Sequence, residues 1–316
     1  MEWTSEIVVN IKRPLVSVVM PVYNMENYLD EAIESILSQS LAAFELIIIN
    51  DGSTDNSLDL LERWAKKDAR IRLYNQVNRG RSFSRNRGLE LASSEFVAMM
   101  DPDDISLPER LELSYQLLQK YDDVVAVSGQ YQRVCMYGVK LRNSSRSVPL
   151  EHDEIVKNLL DDDGSVFHQS ASMIRKTIAK SVGGYNLDYE MGEDVDLFLK
   201  MALKGRLQNL PELFLYYREH AQAITKQRVS PALLQNCKKR LASARADRGL
   251  TLDDSFVHWL ETFPNKEAGE YWLSWGWNAL INGRKGIARR YAIKLFFEEP
   301  FNSDTWTFIY CAVRGR

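Results

Sequence analysis

Short apolar runs alternate with polar turns and with stretches of helical periodicity along the first two-thirds of the chain. Leu15-Val16-Ser17-Val18-Val19-Met20 is a β-rich run closed by Pro21, after which Leu29, Ile33, Ile36 and Leu37 fall at helical spacing. Phe44 to Ile49 repeats the scheme, ending in Asn50-Asp51-Gly52-Ser53, and Leu58, Leu61 and Ala65 then share a helical face. Ser53 or Asp55 is placed to cap that helix. Ile71 to Tyr74 predicts a third strand, and a helix from about Ser82 to Ala92 follows Asn78-Arg79-Gly80. Phe96-Val97-Ala98-Met99-Met100 runs straight into Asp101-Pro102-Asp103-Asp104 and reads as a buried strand of a parallel sheet. Ser106-Leu107-Pro108-Glu109 then offers a capping box and an early proline for the next helix.

Strands alternating with helices at this spacing predict an α/β fold, a mostly parallel sheet flanked by helices with right-handed crossovers. Parallel strands would bring the polar clusters Tyr23/Asn24, Asp51/Ser53 and Asp101/Asp103 to one edge, where open α/β sheets bind ligands. Further on, the pattern predicts one or two strands over 124–134, a polar loop over 138–149 and a helix over 151–160. It then predicts strands over 170–174 and 213–217, and a helix that Gly192-Glu193-Asp194 opens and that runs to Lys204. From about Ser230 the periodicity is helical, which divides the chain into an α/β part, residues 1–225, and a helical C-terminal appendage, residues 226–316. The tryptophans at 272–277 fit either a helical core or a sugar-stacking platform, with core favoured.

Composition changes this picture little. Hydrophobic residues make up 45% and charged residues 26% of the 316, ordinary for a globular protein, and the net charge of −3 gives no argument for a nucleic-acid partner. Cys135, Cys237 and Cys311 are too far apart for a zinc pattern or a disulfide framework, which points to a reducing, cytoplasmic setting. The N-terminus lacks the form of a signal peptide, and no run is long and apolar enough for a spanning helix. Residues 284–297 set Arg284, Lys285, Arg289, Arg290 and Lys294 against Ile287, Ile293, Leu295, Phe296 and Phe297. Such a segment suits a packed helix with a charged face, or peripheral contact with the inner face of an anionic membrane.

Carboxylates in Asp-x-Asp spacing at a strand end suit a hard divalent cation that also holds phosphate oxygens, and they suit equally a turn that caps the next helix. The wider pattern resembles family 2 glycosyltransferases of the GT-A fold. It is carried by Val18-Val19-Met20-Pro21-Val22-Tyr23-Asn24, Asn50-Asp51-Gly52-Ser53-Thr54-Asp55, Asn78-x-Gly80, Arg85-Asn86-x-Gly88, Asp101-x-Asp103-Asp104 and Gly192-Glu193-Asp194, in that order across about residues 14–220. The resemblance implies a nucleotide-diphosphate sugar donor, with UDP favoured, and a saccharide or lipid-linked acceptor. It implies that Pro21 and Tyr23 wall the base and that Asp51 accepts a hydrogen bond from it. Arg85, and less typically Arg79, would face the phosphates. Asp101 would face the ribose or the metal, Asp103 would bind Mn²⁺ or Mg²⁺, and His220 falls where related enzymes carry a histidine near metal and diphosphate. Asp194 matches the catalytic base of an inverting transfer, beside Glu193 as an acceptor-binding residue. Asp104 then braces the turn, Asp196 is left solvated or capping, and His168 borders the acceptor side or serves structure. A sugar nucleotidyltransferase would need a Gly-rich basic loop after the first strand, and a processive synthase would need spanning helices and Gln-x-x-Arg-Trp. A non-catalytic sugar- or nucleotide-binding scaffold on the same fold is the alternative to an enzyme.

Overall fold

The structure, a computed structural model, describes residues 14–145, 147–161, 164–189, 191–220, 231–251 and 268–315. The expected boundary between the two parts, near 225, lies outside the described residues.

Four strands build the N-terminal half: β1 (Val16–Val22), β2 (Phe44–Asp51), β3 (Ile71–Gln76) and β4 (Phe96–Met99). All pair parallel, in the order β3-β2-β1-β4, with helices α1 (Leu29–Leu37), α2 (Ser57–Lys67) and α3 (Arg81–Leu91) as crossovers. Their carboxyl ends therefore share one edge, as the spacing predicts. Pro21 is tolerated in a central strand because Val19 is the last β1 residue paired with β4. The missing N–H of Pro21 would have pointed past the end of that neighbour.

The period-2 rule sorts the core into two layers. Val16, Val18, Met20 and Val22 face α1, α2 and α4 (Arg110–Lys120), with Leu29, Ile33, Ile36, Leu61, Leu111 and Leu118 on the helix side. Val19, Ile47, Ile49, Val97 and Met99 face the other layer. That layer holds α3, α5 (His152–Leu160), α6 (Lys176–Ser181), α7 (Glu193–Met201) and α8 (Pro231–Ala246). Each such aliphatic side chain, fully removed from water, contributes about 1.5–3 kcal/mol. Gly88 lets α3 lie directly on β1, since a Cβ there would fall 2.2 Å from Val19 Cγ1.

Beyond β4 the sheet becomes mixed. β8 (Met173–Arg175) runs antiparallel to β4 and to β6 (Val124–Cys135), β6 runs parallel to β9 (Arg206–Glu219), and β5 (Ile105–Ser106) closes the edge antiparallel to β9. The segment expected as a polar loop contains β7 (Lys140–Ser145), an antiparallel partner of β6. The capping box expected at Ser106 does not form. Ser106 sits in β5, where its N–H donates to Ser35 Oγ (3.0 Å) and its hydroxyl receives Gln39 Nε2 (3.1 Å). A distant side chain serves α4 instead: the Leu111 N–H donates to Gln39 Oε1 (3.0 Å).

The helical stretch divides by what it packs on. α8 lies against α5 and α7, whereas α9 (Ala268–Ile281), α10 (Lys285–Glu298) and α11 (Ser303–Arg314) form a core of their own. Trp272, Trp275, Tyr291, Leu295 and Phe308 fill that core together with Cys135 and Val139 from the β6–β7 turn. The buried tryptophans thus serve packing. Cys135 and Cys311 are free thiols. No helix among the described residues is long and apolar enough to cross a membrane.

Candidate active site

The turn after β4 gives its three carboxylates three different settings. Asp101 receives Arg85 Nη2 on Oδ1 (2.8 Å), and its own N–H donates to Ser170 Oγ (3.0 Å). Burial opposes ionisation of Asp101, but the Arg85 guanidinium outweighs it and holds the carboxyl below the usual range. Asp103 is partly open to solvent and meets His220 Nε2 through Oδ2 at 2.9 Å. Asp104 is buried and accepts the Arg218 N–H on Oδ1 (2.9 Å). Burial, with Asp103 and Asp101 nearby, pushes its carboxyl well above the usual range.

Arg218 fixes this turn from outside. Its Nε donates to the Asp103 carbonyl (2.7 Å), Nη1 to the Met136 carbonyl (3.0 Å), and Nη2 to the Glu31 carboxylate. From beneath, the fully buried Arg110 donates through Nη2 to the carbonyls of Met99 (2.5 Å) and Ser172 (3.1 Å). The imidazole of His220 packs on Tyr28, ring centres 4.7 Å apart, and burial pushes the Tyr28 phenol up to about 12.

At the end of β2, Asp51 is buried and organises the turn before α3. Its Oδ1 accepts Gln76 Nε2 (2.7 Å) and the Arg79 N–H (2.9 Å), and its Oδ2 accepts the Gly80 N–H (2.9 Å). The ends of β1 and β2 are clasped by Asn24, whose N–H donates to Ser53 Oγ (3.1 Å) while its Oδ1 accepts the Thr54 N–H (2.7 Å). Asp55 Oδ1 accepts the Ser57 N–H (2.9 Å) at the start of α2. Pro21 is buried in β1, and Tyr23 stands 44% exposed at its end.

Helix α3 explains the Arg85-Asn86-x-Gly88 spacing. Arg85 is buried and bridges Asp101 and Glu193, donating through Nη1 to Glu193 Oε1 at 2.5 Å. Asn86 exchanges two hydrogen bonds with the backbone of Tyr185, each 2.8 Å, and so ties α3 to the loop that leads to α7. Glu193 is itself 2% exposed, and Arg81 also grips it, through Nη2 to Oε2 at 3.0 Å. Both oxygens of Glu193 therefore face cations. Asp194, next in the same first turn of α7, is half-buried and accepts the Val195 N–H on Oδ1 (2.9 Å). Asp196, expected to be solvated or capping, is instead buried and paired with Lys200 at 2.7 Å, one helical turn on.

His168 sits between Tyr131 and Tyr217, at ring separations of 4.9 Å and 4.7 Å. Burial lowers its imidazole, while the fields of Asp101, Asp194 and Asp103 pull it upward. One histidine thus senses all three acids. Arg79 is exposed, with its guanidinium 3.5 Å from the Phe83 ring centre. The arginine of that turn that reaches the site is Arg81, which the Asn78-x-Gly80 pattern does not single out. Tyr28 and Arg218 are likewise site residues that no local motif marks, although Arg218 stands two positions before His220.

Among the described residues, no three acidic, histidine or cysteine side chains converge as a complete cation cage. Asp103 and His220 offer two ligands side by side, a donor set that suits a cation completed by substrate phosphates and water.

The parallel half-sheet, its acidic carboxyl edge and the helix-borne Glu193-Asp194 define a GT-A type fold. The family model for Glycosyl transferase family 2 matches residues 17–183, and the chain belongs to that family. An uncharacterized glycosyltransferase of Haemophilus influenzae is 34% identical over 215 residues, 66% of this chain and 66% of that protein. Glycosyltransferase GlyG of Streptococcus pneumoniae is 37% identical over 118 residues, 37% of this chain and 39% of that one. The chain thus spans just under two-thirds of the first relative and about two-fifths of the second.

Solved structures share the fold. TarS 1-349 of S. aureus in complex with UDP-GlcNAc superposes with a TM-score of 0.61 at 17% identity, covering 95% of this chain and 92% of that one. The mannosyltransferase PcManGT of Pyrobaculum calidifontis, in complex with GDP-Man and Mn²⁺, gives a TM-score of 0.53 at 20% identity, covering 96% and 86%.

Proposed function

We propose that this chain is a metal-dependent inverting glycosyltransferase. It moves one sugar from a nucleotide-diphosphate donor, UDP favoured, to a hydroxyl of a saccharide or lipid-linked acceptor in surface polysaccharide or glycolipid synthesis. The observation that carries this reading is the Arg85 bridge. It holds the carboxylate turn of the donor edge (Asp101) against the residue beside the candidate base (Glu193, next to Asp194) within one buried ion network.

In this reading Pro21 and Tyr23 flank the base of the nucleotide. Asp51, buried with both oxygens engaged, shapes the Arg79-Gly80 turn that borders that base. Asp101 faces the ribose. Asp103 and His220 hold Mn²⁺ or Mg²⁺, which when bound neutralises charge on the departing diphosphate. The two side chains already touch, and Arg218 and Asp104 keep the turn from moving. Arg81 and Arg85 supply positive charge beside the phosphates. Glu193, expected at the acceptor, is better read as the counter-ion that positions these two arginines, since both its oxygens are engaged.

Asp194 takes the proton of the acceptor hydroxyl. The acceptor oxygen forms its bond to the anomeric carbon as the bond from that carbon to the phosphate oxygen breaks, and the electron pair leaves with the nucleoside diphosphate. Attack from the face opposite the leaving group inverts the anomeric centre. UDP is the nucleotide that the family resemblance favours; among neighbours that share the fold, TarS binds UDP-GlcNAc and PcManGT binds GDP-Man. The packing of α8 on α5 and α7 supports a catalytic unit that takes in α8, with α9–α11 as the separate helical part.

Calorimetric titration of UDP, GDP and dTDP, each with Mn²⁺ and with chelator, tests the reading. Metal-dependent binding of one nucleotide is the expected result. Binding of none, or binding indifferent to chelator and to Asp103→Ala, would remove the donor assignment and leave a scaffold.

A further inference from the structure

The outer face of α10 and α11 has no role in the core beneath it, yet it is apolar. The inner faces already bury Ala288, Tyr291, Ala292 and Leu295 from α10, and Phe308 and Ala312 from α11. On the outside, Ile293, Phe296 and Phe297 form a stripe on α10, and Trp306 and Tyr310 form one on α11, all exposed. Phe301, in the connection between the helices, is 99% exposed, and Phe297 is 75% exposed. The stripes are one surface: the Phe296 ring lies 5.3 Å from that of Phe297 and 5.7 Å from that of Trp306. Apolar character on both faces of a helix marks burial against something further.

Charge selects the partner. Exposed Lys285, Arg289 and Arg290 precede Ile293 by one and two helical turns, and Arg314 caps Tyr310 with its guanidinium 4.4 Å from the ring centre. Between 284 and 314 the chain carries six Lys and Arg against three acidic residues, whereas its overall net charge is −3. A second copy docked by two-fold symmetry would set these cations against one another. An anionic bilayer satisfies both features at once, with aromatic rings at the headgroup boundary and cations at the lipid phosphates. We infer that the outer face of α10–α11 is a docking surface for anionic membrane. The inference assumes nothing about donor or acceptor, so its failure and that of the catalytic reading can be told apart.

The test is flotation of the full chain with vesicles of phosphatidylcholine alone and of equal parts phosphatidylcholine and phosphatidylglycerol, at low and high salt, with melting temperature as the check on folding. The chain is expected to float with the mixed vesicles only, and less in high salt. The double variant Phe297→Ser/Phe301→Ser, at the two most exposed rings, should lose flotation with an unchanged melting temperature. Arg289→Glu with Arg290→Glu should weaken partitioning at least about thirtyfold. No flotation of the wild type, equal flotation with neutral vesicles, or retention by both variants would overturn the inference. A dimer in sedimentation that dissolves in the aromatic variant, with no vesicle binding, would assign the face to a second copy instead.

Discussion

The carboxyl edge of the sheet and the outer face of α10–α11 break the ordinary rule of burial in opposite directions. At the edge, Arg85, Glu193, Arg218 and His220 are each no more than 4% exposed. On the helices, phenylalanines and a tryptophan stand in solvent. The first departure is held in place by named partners: Glu193 by two arginines, Asp104 by the Arg218 N–H, and Asp103 by His220. The second has ring contacts within the patch and one indole hydrogen bond, from Trp306 Nε1 to the Pro300 carbonyl (2.7 Å). Neither arrangement is what folding alone would select, because charged residues seldom go inside and large apolar patches seldom stay outside. The difference is that a site for chemistry must be organised before its ligand arrives, whereas a docking face can wait for its partner to cover it.

The largest effect is expected at Asp194. Asp194→Asn should lower transfer about 10²–10⁴-fold and leave nucleotide binding as in wild type, read by turnover beside calorimetry. Unchanged turnover would place the base elsewhere. Next comes Arg85→Ala, which strips the shared cation from Asp101 and Glu193 and should destabilise the fold by about 3 kcal/mol in denaturant unfolding. That is the lower end for a broken buried pair, because Arg81 stays on Glu193. A loss under about 0.5 kcal/mol would mean the bridge is not organising the edge.

Gly192→Ala is a smaller perturbation. Gly192 has φ +73°, and a Cβ there would fall 2.7 Å from the Arg240 guanidinium carbon, so about 1–2 kcal/mol should be lost. Its turnover should fall further than its stability, since the strain lands at the first turn of α7.

His168→Gln probes pH. Burial lowers the folded imidazole below its ordinary value near 6.5, so the unfolded chain takes up the proton first as pH falls. Stability is then lost as pH drops through that ordinary value, and the loss levels off below the folded one. The variant should show a shallower decline in melting temperature from about pH 7 to about pH 5 than wild type. A decline of equal slope would exclude His168 as a contributor. The smallest effect belongs to the other region. Phe297→Ser should change folding free energy by less than about 0.5 kcal/mol, since 75% of this residue is already exposed.

The N-terminal half-sheet was legible because strands buried on both faces leave unbroken apolar runs, and because parallel pairing forces their polar ends to one side. Asp51, Asp101 and Asp103 follow from that rule alone. β7 escaped notice because Lys140 to Ser145 is polar and is a strand only by virtue of its partner β6. Ser106 misled in the same way, since the cap it seemed to offer α4 is supplied by Gln39, 72 residues before Leu111. The grip of Arg81 on Glu193 spans 112 residues, and nothing local at either end announces it. Motifs marked which side chains gather at the edge. They did not show which of those side chains neutralise one another.

The turn between β6 and β7 is shared property. Its Met136 carbonyl receives Arg218, which also holds the Asp103 carbonyl, while Tyr137 beside it packs edge-on to Tyr291 of α10 at 5.0 Å. The ribosome makes α9–α11 after every residue of the carboxylate edge. A nascent chain released from the exit tunnel up to α8 would therefore carry every carboxylate of that edge, yet lack the outer support of the turn that frames them. The carboxylate edge and the outer aromatic face would mature together, at the moment the same three helices close over Cys135 and Val139.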